Sequence, residues 1–100
     1  MKIRKLKGHE RAQASVHEYR ADYGDNENKD VLVSYTTAVL EINYDKHFVF
    51  CSGLYSRTSI KHMSWFMRGK GMNYFIAKKC YKEGLFYDFV TKTYYGIYPA

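Results

Sequence analysis

Four histidines, two cysteines and a serine-bearing corner are the side chains of this sequence that could do chemistry. His9, His17, His47, His62, Cys51 and Cys80 are the metal-ligating types. Structural zinc sites announce themselves with closely spaced ligand pairs, so that one turn presents two ligands. No Cys–Cys or His–His pair here has that spacing, so neither metal nor cofactor is expected. Gly69-Lys70-Gly71 lacks both the length and the following Ser or Thr of a phosphate cradle. Nucleophilic catalysis needs a Ser or Cys with a histidine in reach. Ser56, Ser59 and His62 share a helix turn and meet that need on paper. The plainer reading has a serine capping the helix and His62 at the helix edge beside Trp65. The acids cluster in an apparent loop, which leaves no paired carboxylates for acid–base work.

The clearest chemical pattern is basic residues interleaved with aromatics. Arg57, Lys61, Trp65, Arg68, Lys70, Tyr74, Lys78, Tyr81 and Lys82 could grip phosphates while rings stack on bases. The charge distribution points the same way. Residues 1–11 carry five bases and one acid; residues 18–45 carry seven acids against Arg20 and Lys29; residues 57–82 carry seven bases and no acid. The bland account of such a run is a solvated face. Seven bases without an acid nonetheless favour a polyanion.

These residues must be positioned by elements that the periodicity outlines. The stretch from Val31 to Met67 reads as a strand, a hairpin and a helix that closes over the sheet. Val31 to Tyr44 is β-branched and aromatic. Its apolar parity changes at Ala38, which implies a bulge, a bend or a change of buried face. An Asp45-Lys46 turn would set Ile42 opposite Val49 and Leu40 opposite Cys51. Phe48 and Phe50 would then lie on the other face and need cover. After Gly53, Ser56 or Thr58 can cap a helix. Ile60, Met63, Phe66 and Met67 form its buried stripe, Arg57, Lys61, Ser64 and Arg68 its outer face, and Gly69 its end.

Residues 1–8 read as a basic arm or an edge strand, and Arg11 to Tyr23 as a strand in preference to a helix. Residues 24–30 read as an acidic loop with nothing to bury. Residues 72–83 fit a helix, with a strand as the alternative. In that helix Met72, Phe75, Ile76 and Cys80 form one apolar row and Tyr74, Ala77 and Tyr81 a second. Leu85 to Tyr95 fits a strand, and Gly96 to Ala100 a tail in which Pro99 prevents regular structure. One hundred residues suit a single domain spanning 1–100. No apolar run approaches the roughly 20 residues of a membrane span. The basic start lacks the apolar core of a secretory signal. Two cysteines without motif spacing are expected as reduced thiols.

The segments Ser34 to Ile42 and Gly53 to Phe66 resemble small proteins of phages and other mobile elements. Their shared pattern is SYxTxV, a hairpin, then YSxTTxxHIxxF. Ser34, Tyr35, Thr37, Val39, Tyr55, Ser56, Thr58 and His62 match it, while Ser59 and Met63 depart from it. SVHEY, Ser15 to Tyr19, resembles the same group. The likeness covers about half the chain and implies a hairpin-to-helix corner. It also implies a setting: a bacterial cytoplasm in which such proteins inhibit host machinery, including CRISPR effectors, as anti-CRISPR-type inhibitors.

The expected fold is α+β, a three- or four-stranded antiparallel sheet with one or two helices packed on one face. The expected function is non-enzymatic docking on nucleic acid or a host nucleoprotein complex. The expected contact residues are Arg57, Lys61, Trp65, Arg68, Lys70, Tyr74, Lys78 and Lys82. The alternatives are a protein-binding inhibitor using the acidic 18–45 region and its tyrosines, and a small enzyme using His62 with Ser56 or Ser59. Opposite charge on the two halves also allows a homodimer.

Overall fold

The computed structural model describes residues 1–54 and 56–96. Tyr55 and the tail containing Pro99 lie outside them. The described residues form one seven-stranded antiparallel sheet whose spatial order repeats its sequence order. Its strands are β1 (Lys2–Lys5), β2 (Ala14–Tyr19), β3 (Lys29–Ser34), β4 (Thr37–Asn43), β5 (Phe48–Cys51), β6 (Phe86–Asp88) and β7 (Thr93–Tyr95). Helices α1 (Arg57–Gly69) and α2 (Tyr74–Glu83) fall between β5 and β6.

The expected sheet of three or four strands is therefore too small. Two short ends and one split strand account for the difference. The stretch 31–44, expected as a single strand, turns at Tyr35 and Thr36 into two strands, β3 and β4, paired with each other. The basic start is strand β1, paired with β2 from Lys2↔Glu18 to Lys5↔Ser15. The aromatic segment 85–95, expected as one strand, folds back on itself: Asp88 accepts the backbone N–H of Val90 and Thr91 and so turns β6 into β7.

The central register follows the apolar pattern. Ile42 pairs with Val49 and Leu40 with Cys51. Leu32 faces Leu40, yet the next pair is Val33 with Ala38, so Val39 is the extra residue of a bulge. That bulge lets consecutive Val39 and Leu40 both be buried. Asp30, Leu32 and Ser34 share one side of β3 and are all buried, while Val31 and Val33 on the other side are only half-buried.

The helices cover this first side, α1 over β3 and β4, α2 over β5 and β6. Met63, Phe66 and Met67 of α1 and Ala77 and Cys80 of α2 meet Leu32, Leu40, Ile42, Val49 and Cys51 in the core. On the opposite side Phe48 is covered by β6, the Phe86 ring standing edge-on to it at 5.4 Å. Phe86 in turn stacks with Phe50 and Tyr95.

Ser56 caps α1, its hydroxyl accepting the Ser59 N–H at 3.1 Å. The helix ends at Gly69, with Lys70 as its C-cap. Gly71, with φ of 75°, takes the left-handed position, and the Met72 N–H reaches back to Met67 O at 2.9 Å. That closure sets Lys70 at the helix end, with its side chain directed to β3.

Candidate functional site

The expected contact residues divide into a free set and a committed set. Arg57, Lys61, Ser64 and Arg68 recur at steps of three and four, so they share one strip of α1. The strip is opposite the buried Ser59, Met63, Phe66 and Met67. Arg57, Lys61 and Arg68 are exposed. On α2, Lys82 is exposed and Lys78 half-buried. None of these five, nor Lys79, forms an ion pair among the described residues. The first turns of α1 and α2 contain no acid. A cation there opposes the helix dipole at a typical cost of about 0.3–1 kcal/mol. Arg57 and Lys61 add like-charge repulsion at a four-residue step. An external anion would relieve both.

The remaining contact residues are engaged inside the fold. Trp65 is stacked by His9, with ring centroids 3.7 Å apart and planes within 6°. Tyr74 is half-buried beside Phe75. The rings that α2 offers to solvent are Phe75, 69% exposed, and Tyr81, 47% exposed, both of which periodicity had placed in apolar rows. The reason is that Ala77 and Cys80 supply the buried contact of α2 and turn Phe75 outward. Ser64 and Arg68 of α1 line one shallow groove with Tyr74 and Phe75 of α2, which joins the two helices' outer faces.

Lys70 belongs to a buried ion cluster that the sequence reading missed. Asp30, expected in a solvated loop, is a fully buried residue of β3. Its carboxylate accepts from Arg20 Nη2 at 2.8 Å, Lys70 Nζ at 2.9 Å and the Tyr44 hydroxyl at 2.6 Å. Burial by itself would raise the Asp30 pKa, but the hydrogen bonds from Tyr44, Lys70 and Arg20 outweigh it and hold the carboxyl below its ordinary value. Burial would lower the Lys70 pKa; Asp30 and Tyr44 reverse that and raise it. One signal could have found Asp30: it shares parity with Leu32 and Ser34.

The serines and His62 form a second buried network. Ser34 Oγ lies 2.8 Å from His62 Nδ1 and 3.0 Å from Ser59 Oγ, and Ser56 Oγ donates to Ser59 Oγ at 3.2 Å. Ser34 and His62 are 2% exposed and Ser59 4%. Burial pushes the His62 pKa below the ordinary histidine value. The hydroxyl on His62 thus comes from β3 rather than from Ser56 or Ser59. No carboxylate orients the ring among the described residues. In this closed setting the network ties the start of α1 to the end of β3.

Cys51 and Cys80 are free and buried, and burial pushes the Cys80 thiol up to about 12. No group of three His, Cys, Asp or Glu among the described residues is placed to hold a metal. No helix among them is long and apolar enough to cross a membrane.

Comparison with known proteins finds one family. Residues 1–84, from β1 through α2, match a family of unknown function (DUF8033). No curated protein matches, and no solved structure does.

Proposed function

We propose that this chain, which belongs to the family of unknown function DUF8033, binds nucleic acid without catalysis through the outer faces of α1 and α2. One observation carries the reading. Of the seven bases between 57 and 82, only Lys70 meets a carboxylate among the described residues; Arg57, Lys61, Arg68 and Lys82 are exposed, Lys78 is half-buried, and Lys79 lies over the Tyr94 ring. Phosphates would lie along Arg57, Lys61 and Arg68 and continue to Lys78 and Lys82. Phe75 supplies an exposed ring among them. The resemblance to phage and mobile-element proteins extends the proposal to a target. In a bacterial host cytoplasm, the face would occupy a nucleoprotein of host defence such as a CRISPR effector.

The two alternatives have less support. The acids of 18–45 are nearly all engaged within the fold, which leaves little negative surface for a basic partner or a second copy. Ser34, Ser59 and His62 of the serine–histidine network are buried, which weighs against the enzyme reading.

The test is binding of labelled single- and double-stranded DNA and RNA across a salt series. Phosphate contacts release counterions, so the logarithm of affinity should fall linearly with the logarithm of salt concentration. Absence of binding at low salt would remove the proposal.

A further inference from the structure

A cleft beside the basic strip has a composition that the strip does not. It lies between β1–β2 and the second half of α1. Leu6, Val16, Trp65 and Phe66 give it an apolar floor. Arg4, Lys7 and Lys70 stand around it, with Glu18 as the lining acid. Glu18 is already held by Arg4, and Lys70 by Asp30. Lys5, which also lines the cleft, and Lys7 form no ion pair among the described residues. The cleft is therefore apolar below and cationic at its mouth. Its volume of about 220 Å³ is under the ~300 Å³ at which drug-sized sites begin. It suits one flat ring system with a negative charge attached.

Its position on α1 identifies where such a group would come from. Trp65 is four residues after Lys61 and three before Arg68, so the floor adjoins the basic strip. We infer that the cleft receives one unstacked nucleotide of a single strand whose neighbouring phosphates lie on Arg57, Lys61 and Arg68. The base rests on the apolar floor beside Trp65, and its phosphate meets Lys5 and Lys7, the lining cations without an ion pair among the described residues. This inference rests on the nucleic-acid reading and deepens it. A duplex keeps its bases stacked and can use only the strip. Stacking of one base should make a single strand bind about tenfold more tightly than a duplex.

The chain has one tryptophan, so tryptophan emission reports on the cleft directly. Adenosine monophosphate, a single-stranded oligonucleotide and a duplex of matched composition would each be titrated into the wild-type protein and into Gly69→Phe. Gly69 lines the cleft, and a Cβ built there meets nothing within 4 Å. A ring at that helical position fills the space without a clash at the backbone. The expected result is saturable quenching by the mononucleotide and a single-strand preference in the wild type. Gly69→Phe should lose both and keep duplex binding. Lys7→Glu, on an exposed turn, supplies a variant that leaves the helix untouched and should weaken the single strand more than the duplex. Duplex binding with no mononucleotide response, or equal affinity for both strands' forms, overturns the cleft and leaves the basic face standing. Failure of both oligonucleotides to bind at low salt overturns the two together.

Discussion

The acidic strands and the basic helices of this protein treat their charges in opposite ways. Between residues 18 and 45, Glu18 is paired with Arg4, Asp25 with the N-terminus, Glu27 and Glu41 with Lys29, and Asp30 with Arg20 and Lys70. Asp45 accepts two hydrogen bonds from Asn28. Only Asp22 makes no ion pair or hydrogen bond among the described residues. Between residues 57 and 82 the pattern is reversed, and only Lys70 forms an ion pair among the described residues. The lesson is that net charge by segment says little until the internal pairs are subtracted. The apparent negative patch is mostly structural cement. The positive one survives the subtraction among the described residues, and the proposed binding rests on it.

The largest test of that contrast is Asp30→Asn. It strips the charge that anchors Arg20 and Lys70 and should cost about 3–5 kcal/mol in chemical denaturation. The same residue predicts a pH effect. Its folded pKa is lowered, so its stabilisation is complete above the ordinary carboxylate value, near 3.9, and is lost as pH falls through the lower folded value. Wild-type stability should decline in that acid range, and Asp30→Asn should flatten the decline. A variant as stable as wild type would mean that the ion cluster is not a support.

Next comes the helix strip. Arg57→Glu, Lys61→Glu and Arg68→Glu together should weaken nucleic-acid binding about a hundredfold and lower the salt slope by about 2–3. Thermal unfolding should change little, because these side chains form no ion pair among the described residues. Undiminished binding by the triple variant would move the interface elsewhere.

Ser34→Ala should cost about 1–3 kcal/mol, since it leaves the buried His62 ring and the Ser59 hydroxyl short of a partner. Denaturant titration measures it, and a stability equal to wild type would remove the network's bracing role. The smallest effect belongs to Asp22→Asn. As the acid outside the pairing it should stay within about 0.5 kcal/mol of wild type in the same titration. A larger loss would show that the acidic half contains a support not yet identified.

Legibility in the sequence followed the range of the interaction. The pairing of Leu40 with Cys51, the strip of Arg57, Lys61 and Arg68, and the Ser56 cap all follow from spacing within one or two neighbouring elements. The parity change at Ala38 suggested a bulge, a bend or a change of buried face within one strand, whereas a turn at Tyr35 and Thr36 divides the stretch into β3 and β4, with the bulge at Val39 in the second. The loop expected at 24–30 failed at its end because Lys29 and Asp30, charged and turn-like by composition, are the first residues of β3. Asp30 can be buried there only because Arg20, Tyr44 and Lys70 converge on it from three other parts of the chain. Residues 1–8 read as an arm or an edge strand, and the pairing of Lys2–Lys5 with β2 decides for the strand; residues 85–95 read as one strand, and the turn that Asp88 sets by accepting the Val90 and Thr91 N–H divides it into β6 and β7.

The sequence by itself determined the alternation that builds the central strands, the amphipathic face of α1 and the acid-free run from 46 to 82. These depend on local geometry and composition, which the order of residues contains directly. Tertiary structure decided which charges are left over. It gave Asp30 its cations, used Lys70 as one of them, covered Trp65 with His9 and turned Phe75 to solvent. Each of these outcomes joins residues distant in the chain or depends on which helix face meets the sheet. The energy of burying a charge or a ring depends on what the folded chain brings beside it.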